Sequence, residues 1–163
     1  MSDGDNRVLA PQHAGLGSRA RIVKAARDIY QYHQSTGRMH YTQDSRRMSI
    51  VRHKWRPPFH DTLFEDCSSY ATACYWLAGL PDPNDLGFNG LGYTGTLCKH
   101  GKPVTAAGAK GGDLAFYGSG PPWHHVAVCA AKPGFVYTHG HEGGPYLEPI
   151  RYRPDLGEVR TYL

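Results

Sequence analysis

An α+β domain, with helices packed on a small antiparallel β-sheet, is the fold class this chain predicts, and three observations carry the prediction. Glycine and proline fill 20 and 12 of the 163 positions, too many breakers for a helical bundle or a coiled coil. Two stretches in the first half carry apolar residues at helical spacing, and four short strand-like runs divided by Gly and Pro clusters follow in the second. Eleven Tyr, five Phe and three Trp supply enough bulk for a packed core, which separates the chain from a disordered segment. The length fits one domain, expected over 18–163 behind a flexible leader at 1–17, which is polar, Gly-containing and without periodicity.

The first helix is predicted from Ser18 as N-cap, with Ile22, Ala26, Ile29, Tyr30 and His33 on one stripe and Gly37 as the stop. The stretch from there to Phe64 reads as loop with at most one short element; its basic run of Arg46, Arg47, Arg52, Lys54 and Arg56 is expected to be a solvated face. The second helix, CSSYATACYWL, aligns Cys67, Tyr70, Ala71, Cys74, Leu77 and Ala78 before Gly79 and Pro81 end it. Residues 81–112 form a Gly-, Pro- and Asn-rich loop, too long for a plain connection and suited to shaping a groove. Strands are predicted at 113–117, 124–130, 134–139 and 146–152, joined as an antiparallel meander.

A thiol attacks only as thiolate, and the positive end of a helix favours that form. Of the four cysteines, Cys67 alone opens a predicted helix, between Asp66 and the polar pair Ser68–Ser69. Cys74 and Cys129 read as small buried residues and Cys98 as a loop thiol, all of them reduced. A base has to come from the crowded histidines at the C-terminal end: His124, His125, His139 and His141. Alternation sets His125 with Ala127 and Cys129, and His124 with Val126 and Val128; the small-residue face is the one expected beneath a helix. An even hairpin register places His139 or His141 opposite His125 as a third group, and an odd register places neither there. A zinc site built from the same histidines and Cys129 is the weaker reading, because neighbouring His124 and His125 point to opposite sides and no HExxH or CxxC stands beside His139-Gly140-His141. His13, His33, His40, His53, His60 and His100 are expected to have no role in chemistry. Phe88, Tyr93 and Trp123 are expected to pack first and to wall the groove second.

The segments FEDCSSYATACYWLAGLPDPN (64–84), GDLAFYG (112–118), HVAV (125–128) and THGHEGGP (138–145) resemble, in order and over nearly the whole chain, the NlpC-type papain-like cysteine peptidases of bacterial cell walls. They are most similar in flavour to catalytic domains of endolysins from actinobacterial phages. The resemblance implies Cys67 as nucleophile, His125 as general base and acid, and His139, or alternatively His141, as the residue orienting the imidazole. It further implies Asp66 and Ser68 as substrate-holding positions and Tyr41 as an oxyanion contact. The stretch between Tyr41 and Cys67 is longer and more basic than in short bacterial members, and Ser69 stands where many relatives have Gly. The implied activity is cleavage of an amide bond within the peptidoglycan stem peptide, with amidase cleavage at its sugar-linked end (N-acetylmuramoyl-L-alanine amidase) as the alternative bond, without metal or organic cofactor. A wall-peptide-binding module without activity is the alternative from a different class.

The net charge of +4 is mild, enough for weak attraction to a polyanion such as nucleic acid or an acidic cell wall but identifying no partner; peptidoglycan and no nucleic acid is the expectation, and no run of apolar residues is long enough to insert in a membrane. The N-terminus lacks the apolar core of a secretory signal, so synthesis in a host bacterial cytoplasm, later access to the wall and a monomeric state are the expectations.

Overall fold

The structure is a computed structural model that describes residues 16–163. Most of the expected leader, and His13 with it, lies outside the described residues. Helix α1 (Ser18–Thr36) buries Ile22, Val23, Ala25, Ala26 and Ile29 on one side; Gly17 stands at its N-cap in place of the expected Ser18. Gly37 closes the helix with φ 65° and returns its N–H to the His33 carbonyl, a left-handed ending that glycine adopts without strain.

Between the helices the chain forms more regular structure than its composition announces. Strand β1 (Met39–Tyr41) pairs in parallel with β2 (Leu63–Glu65), and the short helix α2 (Ser49–His53) lies between them in sequence. Helix α3 (Cys67–Leu77) is buried at every residue. A single turn of helix, α4 (Thr94–Leu97), interrupts the long loop.

The second half builds a six-stranded antiparallel sheet from β3 (Lys102–Val104), β4 (Leu114–Tyr117), β5 (His125–Cys129), β6 (Phe135–Gly140), β7 (Gly143–Pro149) and β8 (Leu156–Thr161), in the order β3-β8-β4-β5-β6-β7. The meander from β4 to β7 matches expectation, with β7 starting three residues earlier than read from the sequence. Strands β3 and β8 were not foreseen. Val159 is the one buried residue in β8, so its pattern lacks the alternation that marks a half-buried strand.

The sheet separates two clusters. On one face Leu114, Phe116, Val126, Val128 and Tyr137 pack beneath α1 and α3, against Ile22, Ile29, Tyr70, Ala71 and Cys74. On the other, Ala115, Tyr117, Ala127, Cys129, Val136, Ile150 and Val159 pack together. The face of β5 beneath the helix is thus the valine face, not the small-residue face expected. The reason is volume: α3 presents small groups at Cys67, Ala71 and Cys74, so the branched chains across from them fill the layer.

Candidate active site

Asp66 caps α3. Its Oδ1 accepts the Ser69 N–H at 2.8 Å while Ser69 Oγ accepts the Asp66 N–H at 2.9 Å, a reciprocal box that fixes where the helix begins and puts Cys67 in its first turn. Cys67 is 5% exposed. Its sulfur lies 3.8 Å from the Thr94 hydroxyl and is approached by the backbone N–H groups of Val126 and Ser68. Burial, and after it the Asp66 carboxylate, push the thiol above its ordinary value; the Val126, Thr94 and Ser68 donors pull it partly back. Because the Val126 nitrogen belongs to the peptide bond that follows His125, the thiol abuts the start of β5.

The loop that delivers Thr94 is held by side chains. Asp82 accepts the N–H groups of Asn84 and Phe88, each at 2.9 Å. Asn84 then bridges Thr72 of α3 at 2.9 Å and Thr96 of α4 at 2.6 Å. A Cβ at Gly92 would meet the Asn84 amide at 2.5 Å, so a glycine is required for this packing. Phe88 and Trp123 pack at the edge of the core, as expected of them first, while Tyr93 is exposed.

Tyr41 closes the other side. Its ring lies 5.3 Å from that of His139 and 4.5 Å from that of His141, and burial together with the nearby Cys67 thiol raises its hydroxyl above the ordinary value. His139 is fully buried, 6.3 Å from the Tyr70 ring. Its Nδ1 is 3.1 Å from the Gly143 carbonyl, and its Nε2 faces the Glu65 carbonyl without completing a hydrogen bond. Burial lowers its pKa, and the two carbonyls act against that.

The hairpin register is odd. Val128 pairs with Tyr137 and Cys129 with Val136, so neither His139 nor His141 lies opposite His125. The group that meets His125 is Thr138, whose Oγ1 is 2.7 Å from Nε2 and 2.9 Å from the Tyr152 hydroxyl. Alternation from Ala127 and Cys129 puts His125 on the side of the sheet away from α3, with its ring 5.6 Å from Tyr117. Burial, then the Arg153 charge, lower its pKa to about 4, so it is a neutral base. Among the described residues no imidazole nitrogen is hydrogen-bonded to the thiol.

The fold therefore gathers Cys67, Asp66, Ser68, Tyr41, His139 and His141 around the start of α3, brings His125 alongside through its backbone, and gives His125 a different orienting partner from the one expected. Sequence reasoning missed Thr94, Thr138, Tyr152, Arg47 and the fully buried Glu65. Glu65 accepts from Ser69 Oγ at 2.5 Å and from the Ile50 N–H at 2.9 Å. Thr138 was within reach, since the odd register points away from both histidines. Of the histidines set aside, His53 stacks on Trp55 at 4.5 Å and His60 is exposed. Among the described residues no three His, Cys, Asp or Glu side chains converge as metal ligands would. No helix there is long and apolar enough to cross a membrane.

Helices packed on an antiparallel sheet, with a thiol at a capped helix start beside the first residues of β5, make a papain-like fold. Solved structures agree at the level of the fold. The NlpC/p60 domain of the peptidoglycan hydrolase SagA aligns with a TM-score of 0.55 and 19% identity, covering 88% of this chain and 97% of that one. NlpC2 from Trichomonas vaginalis aligns at 0.57 and 12% identity, over 99% of this chain and 50% of that. No family model and no curated protein matches the sequence. The chain has the NlpC/P60 fold.

Proposed function

We propose that the chain is a peptidoglycan hydrolase that opens an amide bond of the stem peptide, with Cys67 as nucleophile and His125 as general base and acid. The observation that carries this reading is the position of Cys67, in the first turn of a capped helix, with the Thr94 hydroxyl 3.8 Å from its sulfur. The same fold in the domain of a named peptidoglycan hydrolase supports the substrate class. An open cleft of about 470 Å³, lined by Gln43, Asp44, Ser45, Arg47, Arg52, Asn89 and Gly90, shares Arg47 with the cap of α3 and is the proposed seat of the peptide.

In the proposed reaction the His125 side chain turns from the Thr138 side of the sheet toward α3 and takes the Cys67 proton, and the thiolate adds to the carbonyl carbon. The oxyanion is held by backbone N–H at the start of α3 and by the Tyr41 hydroxyl. His125 then protonates the leaving amine, and water attacks the thioester to release the acid and restore the thiol. Thr138, itself bonded to Tyr152, holds Nε2 in the resting arrangement, the part expected of His139. His139 and His141 pack Tyr41 instead. The resemblance of the sequence to actinobacterial phage lysins supports a lytic role from a cytoplasmic origin.

The test is release of new amino groups from purified actinobacterial peptidoglycan, with mass spectrometry of the fragments and an EDTA control. Cys67→Ala abolishes release; His125→Ala lowers it by about 10²- to 10⁴-fold; Thr138→Val lowers kcat by about five- to tenfold, the value of one hydrogen bond. His124→Ala, at an exposed position, retains activity. Release that survives in Cys67→Ala but stops with EDTA transfers the case to a metal hydrolase, and binding without release by the wild-type chain makes it a wall-binding module.

A further inference from the structure

Arg47 belongs by sequence to a basic run expected on the surface, yet its side chain is only 17% exposed and lies at the N-terminus of α3. Its Nε donates to Asp66 Oδ2 at 2.9 Å. Its second terminal nitrogen donates to the Gly92 carbonyl at 2.6 Å and to Ser68 Oγ at 3.2 Å, with Asp66 Oδ1 at 3.4 Å. Three segments far apart in sequence therefore meet on one guanidinium: the turn after β1, the first turn of α3, and the loop that carries Thr94. Arg46, its neighbour, pairs with Asp44 on the surface and lies over the Phe64 ring. A fork of this kind does what a lysine cannot, because it bonds several acceptors in one plane while keeping its charge.

We propose that Arg47 is a positioning residue of the thiol site: it fixes Asp66 and Ser68 on either side of Cys67, ties the Gly92 loop to them, and sets a positive charge against the carboxylate that adjoins the thiol. The inference rests on the reading of Cys67 as the nucleophile. A cap carboxylate organises the helix start but repels the thiolate it flanks, and Asp66 does so here. The guanidinium keeps the cap and offsets the repulsion. Among the described residues the other charged or titratable groups about the thiol are Tyr41 from β1, with His139, His141 and Glu142 grouped round it, Glu65 beside the cap, and His125 at the start of β5. None of these is a cation bonded to Asp66.

The test follows Cys67 itself. The full chain is labelled with iodoacetamide from about pH 7 to pH 11, a range raised to suit a thiol held above its ordinary value, and labelling is counted on the Cys67 peptide by mass spectrometry. Arg47→Gln moves the half-labelling pH up by about one unit. Arg47→Lys, which keeps charge but loses the fork, moves it up by less than Arg47→Gln does. Asp66→Asn, whose side chain still caps the helix, moves it down. An unshifted Arg47→Gln, or equal shifts in Arg47→Gln and Arg47→Lys, overturns the proposal. If Arg47→Gln does not fold, Asp66→Asn decides alone: a midpoint that fails to fall overturns the proposal. Labelling needs no peptidoglycan, so a chain that shows these shifts but releases no amino groups defeats the hydrolase reading and leaves this one standing.

Discussion

Glu65 is a carboxyl group sealed in the protein one residue from the helix cap, and burial raises its pKa to about 7 despite bonds from Ser69, Ile50 and Ser49. Its folded value lies above its ordinary value of 4.5, so the fold holds a proton that the unfolded chain releases. Stability must then fall as pH rises from about 4.5 to about 7 and level off above, by roughly 3 kcal/mol from this group. His125 acts in the opposite sense: its folded pKa of about 4 lies below its ordinary 6.5, so its contribution is lost as pH falls through that window. Urea midpoints of wild type and Glu65→Gln between pH 5 and pH 8 isolate the first effect. The wild-type minus variant difference is expected to fall with pH up to about 7. A difference that stays flat removes the assigned protonation. Nothing in FEDCSS reveals this, because an acidic residue before a helix ordinarily stays in water.

Among elements, α3 is the one from which the site is measured, and two tyrosines fix its height and rotation. Tyr70 OH donates to the Ala26 carbonyl of α1 at 2.9 Å, and Tyr75 OH donates to the Gly112 carbonyl at 2.7 Å. Tyr70 also touches the His139 ring, so one residue links both helices to β6. Tyr70→Phe keeps the ring and leaves the Ala26 carbonyl with its helical bond alone; the expected cost is about 1 kcal/mol in urea unfolding, with little change in cooperativity. The helices were legible because 3.6-residue spacing and capping residues are local signals. The facing of β5 was not: alternation defines two faces, while the volume of the opposing helix residues decides which is covered. His125 and its partner Thr138 follow from that decision and from an odd hairpin register, which a five-residue turn leaves open at the level of sequence.

Across the whole molecule, the N-terminal helix is fastened to the far sheet by one arginine. Arg19 donates to Asp113 Oδ1 at 2.7 Å, to the Gly111 carbonyl at 3.1 Å and to Thr161 at 3.2 Å, reaching β8 and the entry to β4 together. Because Asp113 is buried and Arg19 is about a third exposed, Arg19→Met is expected to lower stability by about 1–3 kcal/mol, read from the urea midpoint; an unchanged midpoint would show that packing alone seats α1. Contacts of this kind span more than ninety residues and leave no mark on local pattern.

What the sequence determined by itself was the α+β class, both long helices, the β4 to β7 meander and the thiol at the start of α3. All of these arise from periodicity, breakers and capping chemistry within a few residues. The tertiary structure alone decided the partners: Thr138 for His125, Tyr41 for His139, Thr94 and Arg47 for the surroundings of Cys67. Each is a meeting of segments brought together by packing volume and strand register, and those are properties of the assembled core.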